Sequence, residues 1–426
     1  MQTIEGFDFV SLTFNDDGAL TSREEFDALV EHARAQSATD VVFIAHGFRN
    51  DAADATRLYT SFMRTLRGNL GRGEFEALTG RRIIVAGVFW PSLSFRETFG
   101  DDADREGTRT LRPPEESLAE AKRRLEGLKA HVSPAQRAKL DKAIALLPTL
   151  RGNPRAQDEF VALVLSLLDG ADRDPTEGID EMRAQPGSRL LSRLGEPVDA
   201  TLPASRDVFD TIAGGVGTFL NLTLWYVMKE RSGTVGAAAV ADVVRELKTT
   251  LPSVKVHLVG HSLGGRLMAS TVKALASVDP QVQPDSLMLL EAAFSHFGFS
   301  EDDGKGTRGF LRDVIARQGV KGPLVSTFSS KDSVLANAYA IMSRLAGDRT
   351  REIGDARDPF GALGRNGPQR MTELAAGTLA SPGAAAYDFR PGVVNSLDGS
   401  GGLIKNHGDV TNEAVTYAFA QALALT

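Results

Sequence analysis

The chain has 426 residues, 42% hydrophobic and 24% charged, enough to bury a large core as one big domain with an insertion or as two domains. Its formal charge of -7 argues against nucleic acid, or an anionic membrane, as a partner held over a broad basic face. The lack of cysteine excludes disulfides, a thiolate nucleophile and cysteine-based zinc or iron-sulfur sites; it fits a cytoplasmic protein, with signal-less export left open.

Met1 to Asp8 has neither a basic n-region nor an apolar h-region, so no secretory signal is expected. Phe7 to Phe14 reads as a first strand, closed by Asn15-Asp16-Asp17-Gly18. Ser22 then caps a helix, with Glu25 three places on as the partner in a capping box and Phe26, Leu29, Val30 and Ala33 on the buried face. Val41 to Ala45 is a continuous apolar run, suited to a parallel strand buried on both faces, and it ends in His46-Gly47-Phe48-Arg49. Asp51 starts a helix with Leu58, Phe62, Met63 and Leu66 inward, and Ile83 to Phe89 forms the next strand, ending at Trp90-Pro91-Ser92. Strand, helix, strand is the alternation of a parallel α/β sheet.

That alternation stops between Leu93 and about Ala213, where only helical periodicity is seen: Glu115 to His131, Ser133 to Leu150, Arg155 to Leu168 and Thr176 to Leu194. Arg112-Pro113-Pro114 and Arg151-Gly152-Asn153-Pro154 act as separators. Residues 93–213 therefore read as an all-helical cap or lid inserted into a core of 1–92 and 214–426. Phe160 to Leu168 is apolar nearly all round, a helix for the cap's own core rather than for a wall facing substrate. Asp101-Asp102-Ala103-Asp104 lacks the spacing of a calcium loop and reads as a solvated turn.

A helix from Val216 to Arg231 follows, its aromatic and methionine residues suited to packing, then another from Ala237 to Thr250. Neither Phe160 to Leu168 nor Val216 to Met228 is long enough to span a bilayer. Lys255 to Leu267 reads as a buried strand, a sharp turn and a helix start, with Gly260 and Gly264 allowing close backbone approach and Ser262 at the tip. Gly-x-Ser-x-Gly alone is a weak pattern; the strand before it and the helix after it supply the required context. Ser286 to Ala293 and Pro323 to Ser329 are further strands, separated by a helix near Gly309 to Gln318. Val393-Val394 belongs to a last strand, Asp398 to Gly402 to a glycine-rich loop, and Asn412 to Leu425 to a closing helix.

A serine hydroxyl attacks only with a general base in reach, and that base needs an acid to hold its tautomer. After a nucleophile elbow in a parallel α/β sheet, the acid comes first and the histidine last. His407 is the one histidine after the Pro323 to Ser329 strand, and it lies in the loop before the closing helix. Asp332 stands just past that strand; Glu291, one strand earlier, is the alternative acid, and a third reading makes Asp332 a helix cap only. Asp409 is taken as a surface or capping residue. The oxyanion needs backbone donors, for which the N-H groups of Leu263 and Phe48 are chosen, with Gly47 allowing close approach. His46 is read as structural at the site, and His32, His131, His257, His261 and His296 as core or surface residues.

Taken together, Ala45-His46-Gly47-Phe48, Phe89-Trp90-Pro91-Ser92, Gly260-His261-Ser262-Leu263-Gly264, Ser329-Ser330-Lys331-Asp332 and Asn406-His407 resemble the α/β-hydrolase superfamily, and within it bacterial serine esterase or lipase-like hydrolases with a Trp-Pro-Ser strand end. The resemblance covers roughly Phe7 to Ser92 and Gly214 to Thr426. It implies an α/β fold with a mostly parallel central sheet flanked by helices, and a Ser262, Asp332, His407 triad with Phe48 and Leu263 as oxyanion hole. Such a triad hydrolyses an ester without metal or organic cofactor, and the inserted cap with its apolar helices points to a small-molecule or lipid-like acyl ester. Thioesterase, amidase, peptidase and acyltransferase chemistries share such a triad, and a non-catalytic binding or scaffold protein is the remaining alternative. Nucleotide-binding and zinc-protease motifs are absent.

Overall fold

The short apolar runs Val41 to Ala45 and Val256 to Val259 lie at the middle of one nine-stranded sheet, whose strands, numbered in chain order, run β1-β2-β4-β3-β5-β6-β7-β9-β8. The computed structural model describes residues 2–92, 118–169, 174–195, 208–345, 359–384 and 386–426. The first part of the chain forms β1 (Gln2–Ile4), β2 (Phe7–Thr13), α1 (Arg23–Ala35), β3 (Asp40–Ala45), α2 (Ala52–Leu70) and β4 (Ile83–Phe89). Every pairing is parallel except that of β1 with β2. β3 is buried along its whole length between β4 and β5, and its alternate residues serve two layers. Val41, Phe43 and Ala45 face the larger hydrophobic cluster, Val42 and Ile44 a second one built with α2 and the closing helix.

Between β4 and the next strand, the described elements are helices: α3 (Leu118–Leu128), α4 (Pro134–Leu146), α5 (Pro154–Leu165), α6 (Ile179–Arg183), α7 (Gly187–Gly195), α8 (Val208–Val235) and α9 (Ala241–Thr250). Phe160, Val164 and Leu168 are buried in the larger cluster. The single helix expected over 176–194 is broken at Gly178, whose φ is +80°, and again around Pro186. Conversely, α8 runs through a π-helical turn at Gly236–Val240 directly into α9, where two separate helices were expected. Asp101–Asp104, Arg112-Pro113-Pro114 and the start of the helix expected from Glu115 lie outside the described residues.

The second half continues as β5 (Lys255–His261), α10 (Leu263–Val278), β6 (Ser286–Leu290), α11 (Arg312–Ala316), β7 (Leu324–Phe328), α12 (Ser333–Leu345), α13 (Leu363–Asn366), β8 (Leu374–Thr378), β9 (Val394–Asp398) and α14 (Glu413–Ala424). Strands β1 and β8 lie at the two edges of the sheet and lack the alternating β-branched pattern that marks a strand in sequence. β6 stops at Leu290, short of Ala293, because Glu291 turns into the left-handed region at φ +43°. The Ser22 capping box does not form: Ser22 Oγ accepts the Glu24 N-H, while the Glu25 carboxylate takes the N-H and hydroxyl of Thr13 instead. No described helix is long and apolar enough to cross a membrane.

A buried ionic cluster stitches the helical segment to the helix behind the elbow. Arg266 of α10 donates through Nε to the Lys229 carbonyl at 2.9 Å and reaches Asp174 at 3.4 Å. Lys229 pairs with Glu177, donates to the Tyr339 hydroxyl at 2.6 Å and lies over the Trp225 ring. Burial pushes the Lys229 ammonium down to about 8 and the Glu177 carboxyl upwards. Two cations against two anions leave the cluster formally neutral, the condition under which such charges tolerate an apolar surrounding.

Candidate active site

Register brings the ends of three strands together: Ala45 of β3 pairs with Val88 of β4 on one side and Gly260 of β5 on the other. The loops that follow, His46-Gly47, Trp90-Pro91 and His261-Ser262, therefore emerge side by side. Ser262 stands between β5 and α10 with φ +57°, a conformation strained for a residue with a Cβ. A Cβ on Gly260 would strike the Gly264 carbonyl, and one on Gly264 would strike the carbonyls of Ala45 and His46, so the two glycines let strand, turn and helix fold this tightly. The turn is held by Ser262 N-H to the Leu290 carbonyl and Ala293 N-H to the Ser262 carbonyl, at 2.9 and 3.0 Å.

His407, in the loop between β9 and α14, spans the two other groups. Its Nε2 is 2.9 Å from Ser262 Oγ and its Nδ1 is 2.6 Å from Asp332 Oδ2. Asp332 is fully buried, Ser262 is buried, and the His407 side chain keeps 15% of its exposure, so the hydroxyl and imidazole lie at a shielded but reachable edge. Oδ1 of Asp332 accepts the Leu335 N-H at 2.9 Å and so also caps α12; cap and histidine partner are one residue. Among the described residues the carboxylate on His407 Nδ1 is that of Asp332. Glu291 is buried nearby, and burial first, then the charge of Asp332, pushes its carboxyl well above the usual range and favours the neutral acid. Asp409 shapes the loop that carries His407, accepting the Lys405 N-H at 3.0 Å.

On the opposite side, Gly47 lies against Ser262: a Cβ on Gly47 would come within 2.8 Å of Ser262 Cβ. His46 is buried and stacks on Trp90 at 5.6 Å. Its Nδ1-H donates to the Gly47 carbonyl at 3.0 Å, and the Trp90 indole N-H donates to the His46 carbonyl at 2.9 Å. Burial lowers the His46 imidazole to about 4, so it stays neutral in this role. Phe48 follows Gly47 and is half-buried, with the Arg49 guanidinium over its ring. Leu263 opens α10, where helical N-H groups have no intrahelical acceptor.

The remaining histidines are accounted for elsewhere: His32 on Asp8, His131 on Asp16, His257 between Asp40 and Ser286, His296 beside Asn366. His261 is buried as expected, but its Nε2 lies 2.9 Å from the His407 backbone carbonyl, a contact that no spacing in the sequence announces. Among the described residues, no group of three or more histidine or acidic side chains is arranged to hold a metal ion.

Residues 188–294, from α7 through the elbow to just past β6, match the model of a family described as "Alpha/beta hydrolase of unknown function (DUF900)". No curated protein and no solved structure matches the chain. The parallel sheet with its flanking helices, and the match across the elbow, place the chain in the α/β-hydrolase superfamily.

Proposed function

We propose that the chain is a serine hydrolase that cleaves a carboxylic ester, acting on a small-molecule or lipid-like acyl ester through an acyl-enzyme. The observation that carries this reading is the double contact of His407, to Ser262 Oγ at 2.9 Å and to Asp332 at 2.6 Å. Those distances allow a proton to leave Oγ for Nε2 while Nδ1-H stays on the carboxylate.

In the proposed reaction, Oγ attacks the ester carbonyl as His407 takes its proton, and the oxyanion is received by the N-H groups of Phe48 and Leu263. Collapse of the tetrahedral intermediate breaks the bond to the alcohol, which leaves with the proton from Nε2. Water, deprotonated by the same imidazole, then attacks the acyl-serine; the acid departs and Ser262 regains its proton. His46 and Gly47 hold the oxyanion loop, and the tight approach of Gly260 and Gly264 lifts the hydroxyl to the substrate side. No metal or organic cofactor enters these steps. Residues 93–213 are proposed as a helical cap over a core of 1–92 and 214–426. The cysteine-free composition supports a cytoplasmic setting.

Two measurements test this. A fluorophosphonate probe is expected to label the wild type and not Ser262→Ala, and a series of p-nitrophenyl esters of increasing acyl length is expected to be turned over with a preferred length. Folded wild-type protein that neither reacts with the probe nor turns over any ester would overturn the reading.

A further inference from the structure

His261, the residue immediately before the nucleophile, is fixed in its protonation by what it touches. Its Nε2 faces the His407 carbonyl at 2.9 Å, and a carbonyl only accepts, so Nε2 carries the proton and donates it. The ring is buried, and it lies 4.9 Å from the His407 ring, tilted by 42°. Other bonds of the loop are local or point to other elements, among them Gly408 N-H to the Asn406 side chain, Asp409 N-H to the Asn406 carbonyl, Lys405 N-H to the Asp409 carboxylate, and Ser329 hydroxyl to the Ile404 carbonyl. The His261 bond instead ties position 407 to the end of the strand that leads into Ser262, so the hydroxyl and the backbone of its base share one anchor.

We propose that His261 is a positioning residue for the base: its Nε2-H holds the His407 carbonyl, and thereby the imidazole, in line with Ser262 Oγ. The proposal rests on the serine-hydrolase reading. Base and hydroxyl must stay within hydrogen-bond reach, and a displacement of about 1 Å costs on the order of 10²-fold in rate. His407 reaches Ser262 and Asp332 through its ring, but a ring bonded at both nitrogens still swings with its own backbone. Fixing the carbonyl of residue 407 removes that freedom without occupying either ring nitrogen. A histidine present only to fill space would leave the base's alignment untouched.

The experiment compares wild type, His261→Gln and His261→Leu for fluorophosphonate labelling rate, for kcat and KM on a p-nitrophenyl ester, and for the downfield proton signal of the His407-Asp332 hydrogen bond. Gln can place an N-H close to the Nε2 position; Leu cannot. The expected result for His261→Leu is a fall of about 10- to 100-fold in labelling rate and kcat, KM within about twofold, and a weakened downfield signal, with His261→Gln restoring most of the rate. Labelling of His261→Leu at the wild-type rate overturns the proposal while leaving the hydrolase reading intact. Failure of wild type itself to react removes both. Should His261→Leu not fold, the Gln variant decides: folded His261→Gln within about threefold of wild type supports the proposal, and a loss beyond about tenfold overturns it.

Discussion

Asp332 meets His407 with one carboxylate oxygen, at 2.6 Å, while its other oxygen holds the first turn of α12 through the Leu335 N-H. The two tasks are separable by an isosteric change. Asn can keep its carbonyl on the Leu335 N-H but offers Nδ1 an amide in place of a charge. Asp332→Asn is therefore expected to leave the urea midpoint within a few tenths molar of wild type while lowering kcat by about 10⁴. Ser262→Ala and His407→Ala should each cost at least about 10⁴. Near-normal turnover in folded Asp332→Asn would move the acid's role to Glu291.

Glu291 supplies the converse case. Its carboxyl is held towards the neutral acid by burial and by Asp332, so an amide of the same shape replaces it with little electrostatic change. Glu291→Gln should keep kcat within about threefold, by analogy with other substitutions that preserve charge state. A thousandfold loss in a folded variant would show that a carboxylate charge is required there.

Acid stability reports on the buried imidazole before Ser262. Burial lowers His261 from 6.5 to about 3, so below pH 6.5 the unfolded chain takes up a proton there that the folded chain refuses. The stability this gives is complete above pH 6.5 and is lost as pH falls towards 3. Glu177 and Glu291, whose carboxyls are raised, act in the opposite direction, so the measurement is a difference between proteins. Between pH 7 and pH 5, urea unfolding of His261→Gln should lose about 2 kcal/mol less than wild type. An identical pH dependence in the two proteins would contradict the shift.

Lys229 and Glu177 are both buried, and removing one partner strands the other. Lys229→Met should destabilise the fold by about 3–5 kcal/mol. Lys229→Met combined with Glu177→Gln, which retains an acceptor for the Ser295 N-H, should cost less than Lys229→Met alone. Additive losses in denaturant titrations would mean that the ion pair contributes nothing as a pair.

Gly264 stands where any side chain would run into the carbonyls of Ala45 and His46. Those atoms belong to the backbone of the central strand and its loop and cannot step aside. Gly264→Ala is expected to lower stability by at least about 1–3 kcal/mol and to reduce labelling of Ser262. Wild-type stability and labelling would show that the elbow has room the structure does not allow.

What the chain alone determined follows from local rules. Val41 to Ala45 reads as a buried strand because the run is short, rich in β-branched and aromatic residues and without a solvated face, and Ser262 reads as the tip of a sharp turn because glycines flank it between strand and helix patterns. The same rules could not see β8, an edge strand of small residues, nor keep Gln2 to Ile4 apart from an ordinary terminus. The expected domain boundary at residue 213 falls inside α8, whose N-terminal half packs on α7 near Leu191 and whose end packs on α10 near Leu267; a helix shared by two layers has no break to read. Tertiary structure alone decided that Asp332 and not Glu291 meets the His407 ring, and that His261 meets its carbonyl. Both outcomes depend on where separate loops end in space, and periodicity along a chain carries no information about distance across it.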